Sequence, residues 1–287
     1  MTVLRADLSR RVRDNLRDGA SHLARVALES LAAYADVEAE DVDELRRELV
    51  SFADELAAVR PSMTAIHNLV ARWRTGVAEF EGDLEALRAY ARTQANQVRT
   101  WADAATDATT RNVIASLGDR RRLMTHSISS TVSRTLLRMP RKGLDVVVTE
   151  SRPALEGWNL ASTLARDGVA VTYITDAQMG LFVKEVDAVL IGADALLPDG
   201  SVVNKSGTYL LALAAREAGV PLFVCAESFK CTQGPASEVV LEEKSGSELR
   251  PPPVPGIRTR NIYFEVTPAA LVTDWLSNEP LSERFRR

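Results

Sequence analysis

The pattern of apolar and polar positions divides the chain into two parts. In the first, apolar residues recur every three or four positions: Leu8, Val12 and Leu16, then Leu23, Ala27 and Leu31, then Leu45, Leu49, Phe52 and Leu56. That spacing places each set on one face of a helix. The third helix is expected to stop at Arg60, because a residue before proline (here Pro61) avoids the helical region. Ile66, Leu69, Val70 and Trp73 repeat the pattern. A longer helix is expected from about Asp83 to Leu117, with Leu84, Leu87, Val98, Trp101 and Ile114 as its apolar positions.

The period changes near residue 118. The runs 144–149, 169–174, 186–191 and 222–226 are nearly all apolar and rich in β-branched residues. Such runs suit strands buried on both faces of a parallel sheet. Helices are expected between them over 157–166, 178–184 and 207–218, with a last strand at 262–266. Strand–helix alternation of this kind implies right-handed βαβ units and an α/β fold with a doubly wound, mainly parallel sheet. Breaker residues agree: of 15 Gly only four, and of 12 Pro only one, lie before residue 119. The expected domains are a helical one at 1–118 and an α/β one at 119–287.

Composition narrows the class. Hydrophobic residues make up 46% of the 287, and 35 basic against 39 acidic residues leave a net charge of −4. That balance excludes a disordered chain and argues against direct nucleic-acid binding. No apolar run approaches the roughly 18–20 residues that span a bilayer, so no membrane partner is expected. The N-terminus lacks the apolar core of a secretory signal. Two cysteines cannot build a disulfide framework, which points to the reducing cytoplasm. His22, His67 and His126 are scattered, so no metal site is expected. There is no GxGxxG after the first strand and no GxxxxGK[ST] or GxSxG, so no dinucleotide or other cofactor is expected.

In doubly wound sheets, ligands bind beyond the carboxyl ends of the strands. Five polar sets fall there. Thr125 to Thr131, with Ser127 and Ser129, could meet a phosphate at a helix N-terminus, or simply cap that helix. Arg152, after the run at 144–149, could clamp a phosphate by two hydrogen bonds, or pair with Glu150 at the surface. Asp194, beside a glycine that lets a ligand approach, is a general-base or hydroxyl-binding candidate, or else a turn aspartate. Asn204 and Lys205 precede a helix, where Lys205 could hold a phosphate or an anionic intermediate, or lie exposed. Glu227 closes the set, with Lys230 read as solvated. Cys225 reads as a packed core thiol and Cys231 as a loop thiol.

In order and spacing, the blocks THSISSTV (125–132), TESRPALEGWNLA (149–161), ITDAQMG (174–180), GADALLPDGSVVNKSGTYLLALAA (192–215), FVCAESFK (223–230) and RTRNIYFEVTP (258–268) resemble one superfamily. It holds the regulatory α, β and δ subunits of translation initiation factor 2B, ribose-1,5-bisphosphate isomerase and methylthioribose-1-phosphate isomerase. DGASHLARVALE (18–29) and RPSMTAIHNLV (60–70) match more loosely. The resemblance implies a helical domain followed by a Rossmann-like domain, assembly as a homodimer or higher homo-oligomer, and a phosphorylated-sugar pocket in the cleft between the domains. In the isomerases a Cys and an Asp form the acid/base pair. The Asp corresponds to Asp194, and Ser127 stands where the Cys belongs. Arg152, Asn204 and Lys205 match positions that line the pocket. Gly19 and Ala20 match a turn whose backbone N–H groups meet a phosphate, and Arg60 matches a basic position facing the same cleft, or is simply the last residue of its helix.

Serine in place of cysteine matters most. A thiol exchanges protons near neutral pH, whereas a hydroxyl needs an activating base. His126 is adjacent, but neighbours on a strand point to opposite faces, so no Ser127–His126 dyad is expected. Two readings follow. The protein binds a phosphorylated sugar or nucleotide as an initiation factor 2B-like subunit. Alternatively, it is an aldose–ketose sugar-phosphate isomerase in which Asp194 moves the proton and Ser127 replaces the usual Cys.

Overall fold

The structure, a computed structural model, describes residues 3–15, 19–234 and 239–285. The chain forms two compact units, Met1–Ala105 and Thr106–Arg287.

Helices build the first unit: α1 (Val3–Arg13), α2 (Ala20–Tyr34), α3 (Val42–Ala58), α4 (Thr64–Glu79) and most of α5 (Leu84–Leu117). Asp41 starts α3 by accepting a hydrogen bond from the Glu44 N–H at 2.8 Å, the usual work of an N-cap aspartate. Leu23, Leu31, Leu45, Leu49, Phe52, Leu56, Leu69 and Trp73 are all buried, as their spacing predicts; Leu16 lies outside the described residues. Burial of each such side chain contributes roughly 1.5–3 kcal/mol. The Trp73 indole N–H donates to the Ala91 carbonyl at 2.8 Å, so the polar tip of the largest core residue is satisfied.

Helix α5 departs from expectation in which face it buries. Leu84, Trp101 and Ile114 are only half-buried. The buried stripe is Leu87, Ala91, Ala95, Val98, Ala102 and Ala105, continued by Thr106, Thr109, Thr110, Val113 and Leu117. Apart from Leu87, Val98, Val113 and Leu117, the stripe is made of Ala and Thr, which a search for large apolar positions passes over. Trp101 instead lies under the Arg72 guanidinium, 4.5 Å from its ring centre.

The second unit is α/β, as the alternation predicts. Its elements are β1 (Arg122–Thr125), α6 (Ser130–Arg138), β2 (Asp145–Thr149), α7 (Glu156–Arg166), β3 (Ala170–Ile174), α8 (Met179–Phe182), β4 (Ala188–Ile191), β5 (Ala195–Leu196), β6 (Val202–Lys205), α9 (Thr208–Glu217), β7 (Leu222–Cys225), β8 (Phe264–Thr267), β9 (Asp274–Leu276) and α10 (Leu281–Phe285). Six strands form a parallel sheet in the order β3-β2-β1-β4-β7-β9. The edge strand β3, expected to be buried on both faces, exposes Ala170, Thr172 and Tyr173, because no strand covers its outer side. In the inner strands, side chains alternate strictly between two cores. Leu123, Val146, Val148, Ala188, Leu190, Phe223 and Cys225 face one. Met124, Val147, Val189, Ile191, Leu222 and Val224 face the other. This is the period of two of a strand buried on both faces.

Two corrections concern topology. The strand expected at 262–266 lies at Phe264–Thr267 and does not join the parallel sheet; it pairs antiparallel with β6 in a separate sheet ordered β5-β6-β8. The parallel sheet instead ends on β9, only three residues long and too short to signal itself. Strand order reverses between β1 and β4, which lie side by side while their chains continue to opposite edges. A crevice at that switch point is where open α/β sheets take ligands.

Candidate site at the switch point

The loops leaving β1, β2 and β4 carry the polar residues. Their backbones are unusual: Ser127 (φ 67°), Ser151 (φ 59°) and Leu155 (φ 57°) all take the left-handed conformation. Each costs roughly 1–3 kcal/mol and persists only where its surroundings enforce it.

A directed chain of hydrogen bonds does so. His126 is buried, and burial first of all lowers its pKa, against the opposing pull of Asp176, so the ring is neutral. Its Nε2 lies 2.9 Å from the Ser206 carbonyl oxygen, which only accepts, so Nε2 carries the hydrogen. Nδ1 is then an acceptor and takes the Thr149 hydroxyl at 2.7 Å. Thr149 Oγ1 in turn accepts from the Ser151 hydroxyl at 3.1 Å, and Ser151 Oγ accepts the Ser127 backbone N–H at 2.7 Å. From the β2 side, both Asp176 carboxylate oxygens accept backbone N–H groups, from Ser151 and Arg152, each at 2.8 Å. The Arg152–Pro153 peptide is cis.

This fixes Ser127. Its hydroxyl donates to Glu156 Oε2 at 3.0 Å, and Lys205 Nζ lies 2.9 Å from Glu156 Oε1. The Lys205 ammonium also sits 4.1 Å from the centre of the Tyr263 ring. No dyad forms between Ser127 and His126, but not because of strand alternation. Both residues follow the end of β1, and their side chains are engaged by different partners.

Glycines set the close approaches. A Cβ on Gly157 would collide with the Thr149 carbonyl, 2.9 Å from its carbon, so only glycine lets α7 begin against the end of β2. A Cβ on Gly192 would lie 2.6 Å from Ser129 Oγ. Gly192 thus makes room for Ser129, not for a ligand as its position beside Asp194 suggests.

The remaining candidates fall as follows. Ser129 caps α6, its side chain accepting from the Val132 N–H at 3.4 Å. Asp194 is buried and donates its backbone N–H to the Val203 carbonyl at 2.8 Å. It directly precedes β5, whose register against β6 begins at Ala195 opposite Val203. Asn204 Nδ2 donates to Thr208 Oγ1 at 3.0 Å. Lys205 is neither in a loop nor exposed: it ends β6 and only 2% of its surface is accessible. The α9 N-terminus cannot serve as its phosphate cradle, because Glu265 Oε1 already takes the Gly207 and Tyr209 N–H groups at 2.7 and 2.8 Å. Arg152 does not pair with Glu150; its Nη2 donates to the Leu249 carbonyl at 3.1 Å. Gly19 caps α2 and Ala20 opens it, in the first unit. Arg60 lies beyond the end of α3, not in it, and its buried side chain donates to the Asn15 carbonyl at 3.2 Å.

A second buried charge cluster stands at the end of β7. Glu227 Oε1 accepts from the Thr106 and Thr131 hydroxyls at 2.8 and 2.6 Å, and Lys230 Nζ lies 3.2 Å from Oε2. Lys230 is buried, correcting its reading as solvated. Burial pushes the Glu227 carboxyl up, but Lys230 and the Thr131 hydroxyl outweigh it, holding the pKa at about 2. Cys225 is a core thiol with its pKa raised by burial. Among the described residues no group of three or more His, Cys, Asp or Glu is arranged to hold a metal. Among the described residues no helix is long and apolar enough to cross a membrane.

Glu156 is the residue that reading by motif position missed. Its signal was present in EGW, where an acidic residue and an obligatory glycine open the helix after the second strand.

An eIF-2B subunit 2-like protein of Pyrococcus abyssi is 36% identical over 260 residues, covering 87% of this chain and 86% of that protein. The ribose 1,5-bisphosphate isomerase of Archaeoglobus fulgidus is 31% identical over 262 residues, covering 87% and 80%. The crystal structure of the Pyrococcus horikoshii translation initiation factor eIF-2B superposes with a TM-score of 0.84 at 29% identity, covering 97% of this chain and 96% of that one. Residues 16–279 match the initiation factor 2 subunit family, and the chain belongs to that family.

Proposed function

We propose that the rim beyond β1, β2 and β4 binds a phosphorylated sugar or nucleotide, with Arg152 meeting the phosphate and Ser127, Asp194, Asn204 and Lys205 meeting the sugar. One observation carries this reading: Ser127, Asp194, Asn204, Lys205 and Glu156 are all at least nine-tenths buried, yet stand where an α/β sheet takes its ligand. A fold needing only stability would not collect this many desolvated polar groups at one rim. The test is saturable thermal stabilisation by ribose 5-phosphate, ribose 1,5-bisphosphate, methylthioribose 1-phosphate and AMP. Unchanged binding by both Arg152→Ala and Lys205→Ala would sink the assignment.

A second reading is catalytic. Asp194 and Lys205 stand in the blocks that resemble the isomerases, and two relatives are named ribose 1,5-bisphosphate isomerase and methylthioribose-1-phosphate isomerase, each 31% identical. Here Asp194 moves the proton between C1 and C2 while Lys205 and Asn204 stabilise the anionic intermediate. Wild-type turnover of either sugar phosphate to the ketose, abolished by Asp194→Asn, is the expected result; no turnover leaves the binding reading alone. Under both readings the chain assembles as a homodimer or higher homo-oligomer in the cytoplasm. The exposed Trp158, packed edge-on against Tyr173 of the edge strand β3, supports such a surface.

A further inference from the structure

Lys205 and Arg152 reach the rim from different strands, yet one short turn touches both of their surroundings. It is the single 3-10 turn Gly246–Leu249, in the long connection between β7 and β8. Its Leu249 carbonyl accepts the hydrogen bond from Arg152 Nη2 at 3.1 Å. Its Glu248 carboxylate accepts the Tyr263 hydroxyl on Oε2, and the Tyr263 ring centre lies 4.1 Å from Lys205 Nζ. Tyr263 is buried, so its hydroxyl needs a protein acceptor, and Glu248 supplies one.

The turn is held in place from one side. Asn261 Nδ2 donates to the Ser245 carbonyl at 2.9 Å and to Glu248 Oε2 at 3.0 Å. The Lys244 N–H donates to the Asn261 carbonyl at 2.8 Å, and the Tyr263 N–H to the Glu242 carbonyl at 3.0 Å. Glu243 and Ile262 form an antiparallel bridge between these two bonds. A Cβ on Gly246 would run into the Thr259 side chain, so the turn lies flat against that segment.

Such anchoring has a use at the site. Lysine carries its charge on a flexible four-carbon stem, and an arginine fork recognises its target only when its plane is set. Glu156 fixes the Lys205 ammonium on one side, and the Tyr263 face closes another. A carboxylate acceptor makes the Tyr263 hydrogen bond the strong, charge-assisted kind, which fixes the ring. The Leu249 carbonyl takes one donor of the Arg152 fork and so orients the others.

We propose that Glu248 is a positioning residue: through the Tyr263 ring it holds Lys205, and through the backbone of its own turn it holds Arg152. Both cations are then set before the ligand arrives, which removes part of the ordering cost of binding. This rests on the ligand-binding reading above and adds the element that preorganises that site. Glu248 itself touches no ligand.

Calorimetric titration of the full chain with ribose 5-phosphate, ribose 1,5-bisphosphate and AMP tests this. Tyr263→Phe keeps the ring and cuts only its tether, so it should remain folded and lose about fivefold or more in affinity for the best-bound probe. Glu248→Ala should lose about tenfold or more, because it frees the turn as well. Glu248→Gln keeps a carbonyl acceptor for Tyr263 and should recover most of that loss. Tyr263→Phe combined with Glu248→Ala should cost no more than Glu248→Ala alone, since both cut the same link. A Glu248 that only staples the loop would lower the urea midpoint and leave affinity unchanged; that result overturns the proposal. Wild-type affinity in Tyr263→Phe also overturns it, even if Glu248→Ala fails to fold, and leaves the ligand-binding reading intact. Fully additive losses in the double variant do the same. No saturable binding of any of the three probes by the wild type overturns both.

Discussion

Glu227→Gln tests the electrostatics of the second unit most sharply. The carboxyl is buried and holds a pKa of about 2 against an ordinary 4.5. A group whose folded pKa is depressed contributes stability above its unfolded value, and that stability is lost as pH falls through the folded one. A shift of this size corresponds to about 3 kcal/mol at neutral pH. At pH 3 the unfolded group is almost fully protonated while the folded one is still charged, so about 2 kcal/mol of that contribution is already gone. The variant has no such group and lacks this part of the acid slope. It is also destabilised at pH 7, by roughly 3–5 kcal/mol, because Lys230 then stays buried facing a neutral amide. Removing both charges, in Glu227→Gln with Lys230→Met, recovers much of that loss. The assay is urea unfolding at pH 7, 5, 4 and 3, followed by peptide-resolved amide exchange over β7 so that only the second unit is read. Parallel curves for wild type and Glu227→Gln between pH 5 and 3 would refute the reasoning. So would a Glu227→Gln variant as stable as wild type at pH 7.

Two other perturbations probe the loops. Thr149→Val keeps the shape but removes the hydroxyl that His126 Nδ1 accepts. The expected loss is about 1–3 kcal/mol, rescued by Thr149→Ser. In the wild type, nitrogen NMR should find His126 neutral with its hydrogen on Nε2 below pH 6.5, because its folded pKa is depressed; stability falls as pH drops below the unfolded value of about 6.5, where only the unfolded ring takes up a proton. Gly157→Ala drives a Cβ into the Thr149 carbonyl and should cost at least the upper end of the about 1–3 kcal/mol typical of overpacking. Gly180→Ala, which meets nothing within 4 Å, should stay within about 0.5 kcal/mol of wild type by the same urea unfolding assay.

The parts of the fold legible in the sequence are those in which one local pattern decides. Leu45, Leu49, Phe52 and Leu56 mark α3 because each is buried by the same helical face. The runs that became β2, β4 and β7 stand out because both of their faces are apolar. The antiparallel sheet was not legible, although Pro198, Asp199 and Gly200 between short apolar runs form a turn signal. Strand β6 ends in Asn204 and Lys205, whose polarity suggests a loop before a helix; the pairing with β8 some sixty residues later is what makes it a strand. Strand β9 likewise owes its existence to β7, not to its own three residues.

The same distinction governs the site. Asp194, Arg152 and Ser127 were located by position at strand ends, because topology alone directs those ends to one rim. The state of each group depends on partners that are distant in sequence. Lys205 looks like a free cation until Glu156, 49 residues earlier, is set 2.9 Å away. The α9 N-terminus looks like an anion site until Glu265, from β8, fills it. Lys230 looks solvated until Glu227 is seen to be sealed by Thr106 and Thr131. In each case a carboxylate already occupies the place that the cation or helix end seemed to hold open for a ligand.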